Sequence, residues 1–109
     1  MVALERDVEI IEQTLCELAR FYASNEKSRT LMAFDREHGQ FLLIDWDGYR
    51  RIHNVWAHLE LRDGKIWIHE DGTEEGIANL LVAAGIPKDR IVLAFHAPNL
   101  RAATSFAVA

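Results

Sequence analysis

From Leu4 the apolar residues Leu4, Val8, Ile11, Leu15, Leu18 and Tyr22 recur at alternating spacings of four and three. At about 3.6 residues per turn this puts them all on one side of a helix. Glu5, Arg6, Glu9, Glu12 and Glu17 mostly occupy other faces, and no Pro or Gly interrupts the segment before Ser24-Asn25. The stripe runs for about two and a half heptads, short of a coiled-coil seam, so it predicts one amphipathic helix laid on a sheet. Cys16 falls off the stripe and reads as a small helix-face residue rather than a reactive thiol.

Beyond the polar break at 24–28 the period changes from that of a helix to that of strands. Thr30-Leu-Met-Ala-Phe34 and Gln40-Phe-Leu-Leu-Ile-Asp-Trp46 are short apolar runs separated by Asp35-Arg-Glu-His-Gly39, a hairpin signal with Gly available for a positive φ. Asp47-Gly48 then precedes the run Tyr49 to Arg62, and Asp63-Gly64 precedes Lys65 to Glu70. Asp-Gly between strand-like runs suits a two-residue type I′ turn. Two such turns predict an antiparallel meander of four strands.

Ile77, Leu80, Leu81 and Ala84 again follow helical spacing and stop at Gly85-Ile86-Pro87. This predicts a second helix near residues 73–84, capped by Asp71 or Thr73, with Glu74 and Glu75 at the positive end of its dipole. Ile91 to Phe95 reads as a fifth strand, and the tail ending in Phe106-Ala-Val-Ala109 is apolar enough to be packed. The expected fold is α+β: an antiparallel meander sheet of four to five strands, an N-terminal amphipathic helix and a second helix. One domain spanning 1–109 is expected, because two cores in 109 residues would each be too small.

Composition narrows the function classes. Twelve Lys and Arg against 17 Asp and Glu give a net charge of 12 − 17 = −5, which works against broad contact with a phosphate backbone. Direct nucleic-acid binding is therefore not expected. The acidic N-terminal segment carries no export signal, no run is long enough for a membrane span, and Cys16 is the single cysteine. These features point to a cytoplasmic protein.

Chemistry concentrates on the hairpin whose turn is Asp63-Gly64. Arg62 is expected opposite Lys65, Leu61 opposite Ile66, Glu60 opposite Trp67, Leu59 opposite Ile68 and His58 opposite His69. Leu59, Leu61, Ile66 and Ile68 form the core side. Trp56, His58, Glu60, Trp67 and His69 collect on the other, too aromatic for a solvated surface and too polar for a dry core, which suits a protein interface. Asp71, Thr73 and Glu74 at the start of the second helix adjoin it as further contact candidates.

Two histidines across a ladder can also hold a transition metal, but a site needs a third ligand, Glu60 or Asp71, and hydrogen-bonded interface histidines are the simpler reading. No metal and no cofactor are expected. Carboxylates at Asp45, Asp47, Asp63, Glu70, Asp71, Glu74 and Glu75 raise a metal-dependent nuclease as the alternative, with Asp45, Asp47 or Asp71 as ligands. Most of them have turn or helix-start roles, and Asp45 is expected opposite Arg50. Direct DNA binding through Arg50, Arg51 and Arg101 is a third reading. There is no phosphate-binding Gly-rich loop and no Gly-x-Ser-x-Gly. No catalytic residue is assigned.

The segments Trp46-Asp-Gly-Tyr-Arg-Arg-Ile-His53, His58-Leu-Glu-Leu-Arg-Asp-Gly-Lys-Ile-Trp-Ile68, Asp71-Gly-Thr-Glu-Glu-Gly-Ile-Ala78, Ala84-Gly-Ile-Pro-Lys-Asp-Arg-Ile-Val-Leu93, Phe95-His96 and Thr104-Ser-Phe-Ala-Val-Ala109 together resemble the XisI-like family. These are the fdxN-element excision controlling factors of cyanobacteria, and the resemblance covers nearly the whole chain in order and spacing. It implies a small α+β protein that, with a companion called XisH, is needed for a site-specific recombinase to excise a DNA element during heterocyst development. It supplies no catalytic residue. The reading that joins both lines is a non-enzymatic accessory factor in DNA recombination. Its expected partners are a nuclease-like XisH companion, a recombinase, or a second copy of itself in a homodimer.

Overall fold

The computed structural model describes residues 2–22, 29–47 and 52–109. The N-terminal stripe forms helix α1, Val2–Tyr22. Ile11, Leu15 and Leu18 are buried, as the spacing requires, but so are Asp7, Thr14 and Ala19. The helix therefore buries a broader strip than one seam, as a helix laid on a sheet must. The buried Asp7 carboxylate pairs with Arg90, and Arg90 also donates to the Gly64 carbonyl at 2.8 and 2.9 Å. That one guanidinium ties α1 to the turn of a hairpin.

The strand-like runs become β1 (Arg29–Asp35), β2 (Gln40–Asp47), β3 (Ile52–Arg62), β4 (Lys65–Asp71) and β5 (Ile91–Leu93), in spatial order β1-β2-β3-β4-β5. The first four are an antiparallel meander, and β5 joins β4 in parallel after a crossover through helix α2, Ile77–Ala83. Phe41, Leu43, Ala57, Leu59, Ile66, Ile68, Ile91 and Leu93 from the sheet share one core with Ile11, Leu15, Leu18, Ile77 and Leu81 from α1 and α2. Both helices thus lie on the same face of the sheet. A 3-10 turn, Lys88–Arg90, precedes β5, and a short helix α3, Pro98–Arg101, follows it.

Turns set the register. Asp63 and Gly64 have φ of 54° and 75°, the pair of positive values a type I′ turn requires. At the first hairpin Gly39 has φ 65°, and a Cβ there would stand 2.5 Å from the Leu61 carbonyl oxygen. The Gly39 carbonyl accepts from Leu61 N at 2.8 Å, so glycine allows the turn to lie directly on β3.

Several expectations change. The Asp47-Gly48 turn and Arg50-Arg51 lie outside the described residues, but the flanking strands pair Asp47 with Ile52 and Asp45 with Asn54. Asp45 therefore does not oppose Arg50; its carboxylate accepts from Thr30 Oγ1 at 3.1 Å instead. Helix α2 begins at Ile77 rather than near 73, because Asp71 and Thr73 draw the preceding loop into a cap: Asp71 Oδ1 accepts from Thr73 N and Oγ1 at 2.9 and 2.6 Å, Asp71 Oδ2 from Ile77 N at 2.8 Å, and Thr73 Oγ1 from Gly76 N at 3.1 Å. Glu74 and Glu75 consequently precede the helix and are exposed. The fifth strand ends at Leu93, and the tail is packed as expected, with Ala107 bridging to Val92 and Phe106 against the core.

Candidate interaction face

Alternation along a strand sends every second side chain away from the helices. On that outer face Leu31, Ile44 and Val55 stand in register across β1, β2 and β3, and Ala33, Leu42 and His58 form the next row. Leu31 and Val55 remain 43% and 37% exposed, and Trp46 on the same face of β2 is 40% exposed. A row of aliphatic side chains open to solvent in the middle of a sheet is costly unless something covers it.

The row ends in a polar network centred on Glu60. His58 Nε2 lies 2.7 Å from Gln40 Oε1, Gln40 Nε2 donates to Glu60 Oε2 at 3.1 Å, and His69 Nε2 lies 2.8 Å from Glu60 Oε1. The donation from Gln40 to Glu60 fixes the amide orientation, so its oxygen can only accept and both imidazoles carry their proton on Nε2. The two rings stand 4.8 Å apart at 42°. Burial, and after it the neighbouring His69, push the His58 imidazole below its ordinary value. The hydrogen bond from His69 holds Glu60 below the usual carboxylate range. Arg62 stacks on Trp67 with its guanidinium carbon 3.9 Å from the ring centre, and Trp67 Nε1 donates to the Arg62 carbonyl at 3.2 Å.

His58, Glu60, Trp67 and His69 therefore share this face, as the hairpin alternation predicts. Two details differ. His58 opposes Glu70 rather than His69, because His69 is an extra residue between the pairs His58–Glu70 and Leu59–Ile68. This bulge tilts His69 toward Glu60 without parting the two rings. Trp56 is also an extra residue, between the pairs Leu43–Ala57 and Ile44–Val55, and it turns to the helix side. There it packs against the core, edge-on to Tyr22 at 5.5 Å, with its indole N–H buried and without a partner among the described residues. The expectation that Trp56 belongs to the His58 face is corrected: alternation breaks wherever a bulge intervenes.

Asp71 and Thr73 also face the helices, occupied in capping α2, and Glu74 sits on the exposed loop beside them. Arg101, a candidate for phosphate contact, instead donates to the carbonyls of Leu93, His96, Ala94 and Val108 and so anchors the tail. Among the described residues no three His, Cys, Asp or Glu converge in a metal-holding arrangement, and no helix is long and apolar enough to cross a membrane.

Sequence reasoning missed the aliphatic row. Its signal is the unbroken run Phe41-Leu-Leu-Ile44, which is apolar on both faces of β2 where a half-covered strand would alternate.

The chain matches the family described as XisI protein over residues 1–108. Among solved structures it is similar to a XisI-like protein from Anabaena variabilis ATCC 29413, with 27% identity, a TM-score of 0.84 and coverage of 98% of this chain and 99% of the other. It is also similar to the fdxN element excision controlling factor XisI from the same organism, with 31% identity, a TM-score of 0.79 and the same coverage. A search of curated proteins finds no match.

Proposed function

The chain belongs to the XisI family, and from that premise we propose that it is a non-catalytic controlling factor for excision of a DNA element, acting as one domain that holds a companion protein. The observation that carries this reading is the outer face of β1 to β4. The row Leu31, Ile44, Val55 offers an uncharged apolar centre, and the Glu60 network with Trp67 offers a polar and aromatic rim. That is the anatomy of a recognition surface. Among the described residues His58 Nδ1 has no hydrogen-bond partner, so it can accept from an N–H of the companion.

The relative at 31% identity is described as an fdxN element excision controlling factor. A controlling factor at net charge −5 fits contact with a basic, nuclease-like companion of the XisH kind, or with the recombinase, better than contact with DNA itself. The nuclease alternative is weaker, because Asp45 and Asp71, two of its three candidate ligands, already accept hydrogen bonds that build the fold. A reducing cytoplasm suits the single Cys16.

Co-expression with the XisH-like companion tests the reading. We expect a stable complex at micromolar concentration that Val55→Asp abolishes and Trp67→Ala weakens at least tenfold. Separate elution of the two proteins, or nicking of supercoiled DNA by the pure chain with Mg²⁺, would overturn it. Light scattering on the chain alone checks the homodimer: a dimer that Val55→Asp dissociates places a second copy on the same face.

A further inference from the structure

On the opposite side of the molecule, α1 and α2 share the core but leave a surface groove of about 510 Å³ between them, lined by Leu18, Leu80, Ala83 and Ala84 and by Phe21. A smaller hollow beside it shares Thr14, Glu17 and Ala84 with the groove and reaches Ile10. From Ile10 to Phe21 is eleven steps along α1, a length of roughly 16 Å or three helical turns at ~1.5 Å per residue. Phe21 is 74% exposed, the most exposed of the large apolar side chains in the described residues.

Two carboxylates, Glu17 on α1 and Glu75 before α2, are the charged residues of this lining. Tyr22 Oη donates to Glu75 Oε1 at 3.1 Å, which ties the loop before α2 to the end of α1 beside Phe21. Glu17 is engaged through Gln13 at 3.4 Å, and the exposed Glu74 adds a further negative charge nearby.

We propose that this groove docks a short basic amphipathic helix of a partner protein. Its length suits three turns, so that guest side chains at i, i+3 or i+4, and i+7 descend onto Leu18, Leu80 and the ring of Phe21. Charge complementarity selects the guest: Lys or Arg flanking its apolar stripe meet Glu17 and Glu75, whereas an acidic helix is repelled by them and by the net charge of −5. A second copy of this acidic chain is disfavoured for the same reason. The groove is separate from the sheet face, so this inference stands or falls independently of the reading above.

The probe is a labelled 14-residue peptide of Leu at helical a and d spacing with Lys and Ala elsewhere, compared with the same peptide carrying Glu for Lys. Anisotropy titration of the full chain should give 1:1 binding of the Lys peptide and none of the Glu peptide. Backbone amide shifts should change along 10–21 and 75–84. Phe21→Ser should weaken binding at least tenfold, Phe21→Leu should retain it within threefold, and Glu17→Gln with Glu75→Gln should weaken it at least threefold. Trp67→Ala should leave it unchanged. Absence of binding, equal binding of the Glu peptide, or shift changes confined to the sheet overturns the proposal. So does sedimentation showing that the chain alone forms a dimer which Phe21→Ser dissociates, because the occupant is then a second copy.

Discussion

Replacing Asp71 separates its structural role from a catalytic one. Its carboxylate accepts three hydrogen bonds: Oδ1 from Thr73 N and Oγ1, and Oδ2 from Ile77 N, the first residue of α2. Ile77 is fully buried, so its N–H cannot easily turn to water once the acceptor is gone. Hydrogen bonds to a charged group contribute about 1.5–3 kcal/mol each before local relaxation, and loss of a helix cap costs about 0.5–2 kcal/mol. Asp71→Ala removes all three bonds, but the part-buried Thr73 can turn to water, so we expect a loss of about 2 kcal/mol. Asp71→Asn keeps an acceptor for Thr73 and presents an NH₂ to Ile77 N, with an expected loss of about 1 kcal/mol. Urea unfolding followed by tryptophan fluorescence should show a lower midpoint at an unchanged slope, the signature of altered stability without altered compactness. An Ala variant within about 0.3 kcal/mol of the wild type would refute the argument that this side chain holds the α2 start.

Three further outcomes follow from the same geometry. Gly39→Ala combines a positive φ with a Cβ 2.5 Å from the Leu61 oxygen, and should cost about 2 kcal/mol or more in thermal or urea unfolding. Arg90→Ala strands the buried Asp7 carboxylate and should destabilise by about 3 kcal/mol, while adding Asp7→Asn to it should recover part of the loss in a double-mutant cycle. Acid should weaken the sheet face. The folded values of His58 and Glu60 both lie below their unfolded ones, so their contributions are present above the unfolded values. They are lost as pH falls, His58 first as pH drops below its ordinary range near 6.5 and Glu60 below about 4.5. Facing His58 across the network are Gln40, Glu60, His69 and Glu70. His58→Gln should flatten the upper part of the stability–pH curve, and an unchanged slope between pH 5 and 7 would count against it.

The meander, both helices and the type I′ turn at Asp63-Gly64 were legible because each rests on local chemistry: a period, a cap or a dipeptide with one favoured conformation. What escaped was non-local. Gly39 announces a positive φ, but nothing in its neighbourhood says that Leu61 will lie against it. Asp7 looks like a solvated helix charge until Arg90, 83 residues later, is brought to it. The bulges at Trp56 and His69 carry no Gly or Asn to mark them, so strict alternation assigned Trp56 to the wrong face while the His58–His69 contact survived an altered register. Within the site, the polar members were readable from the hairpin, and the aliphatic centre was not, since an apolar run such as Phe41 to Ile44 reads equally as a doubly buried strand.

The two faces of the sheet differ in how their polar and apolar groups are used. The helix side is closed by apolar side chains and by charges that are matched within the chain, Asp7 by Arg90 and Asp71 by the backbone of α2. Asp7, Asp45 and Asp71 are consumed there in holding the fold, which is why the acidic residues most suggestive of catalysis contribute stability. On the outer face the balance is reversed: among the described residues no layer covers Leu31, Ile44 and Val55, while Gln40, His58, Glu60 and His69 bond to one another as donors and acceptors around them. Rigid polar groups lose little entropy when a partner arrives, and exposed aliphatic rows gain when one does. A third layer supplied by another polypeptide would complete this sheet in the way α1 and α2 complete its other side.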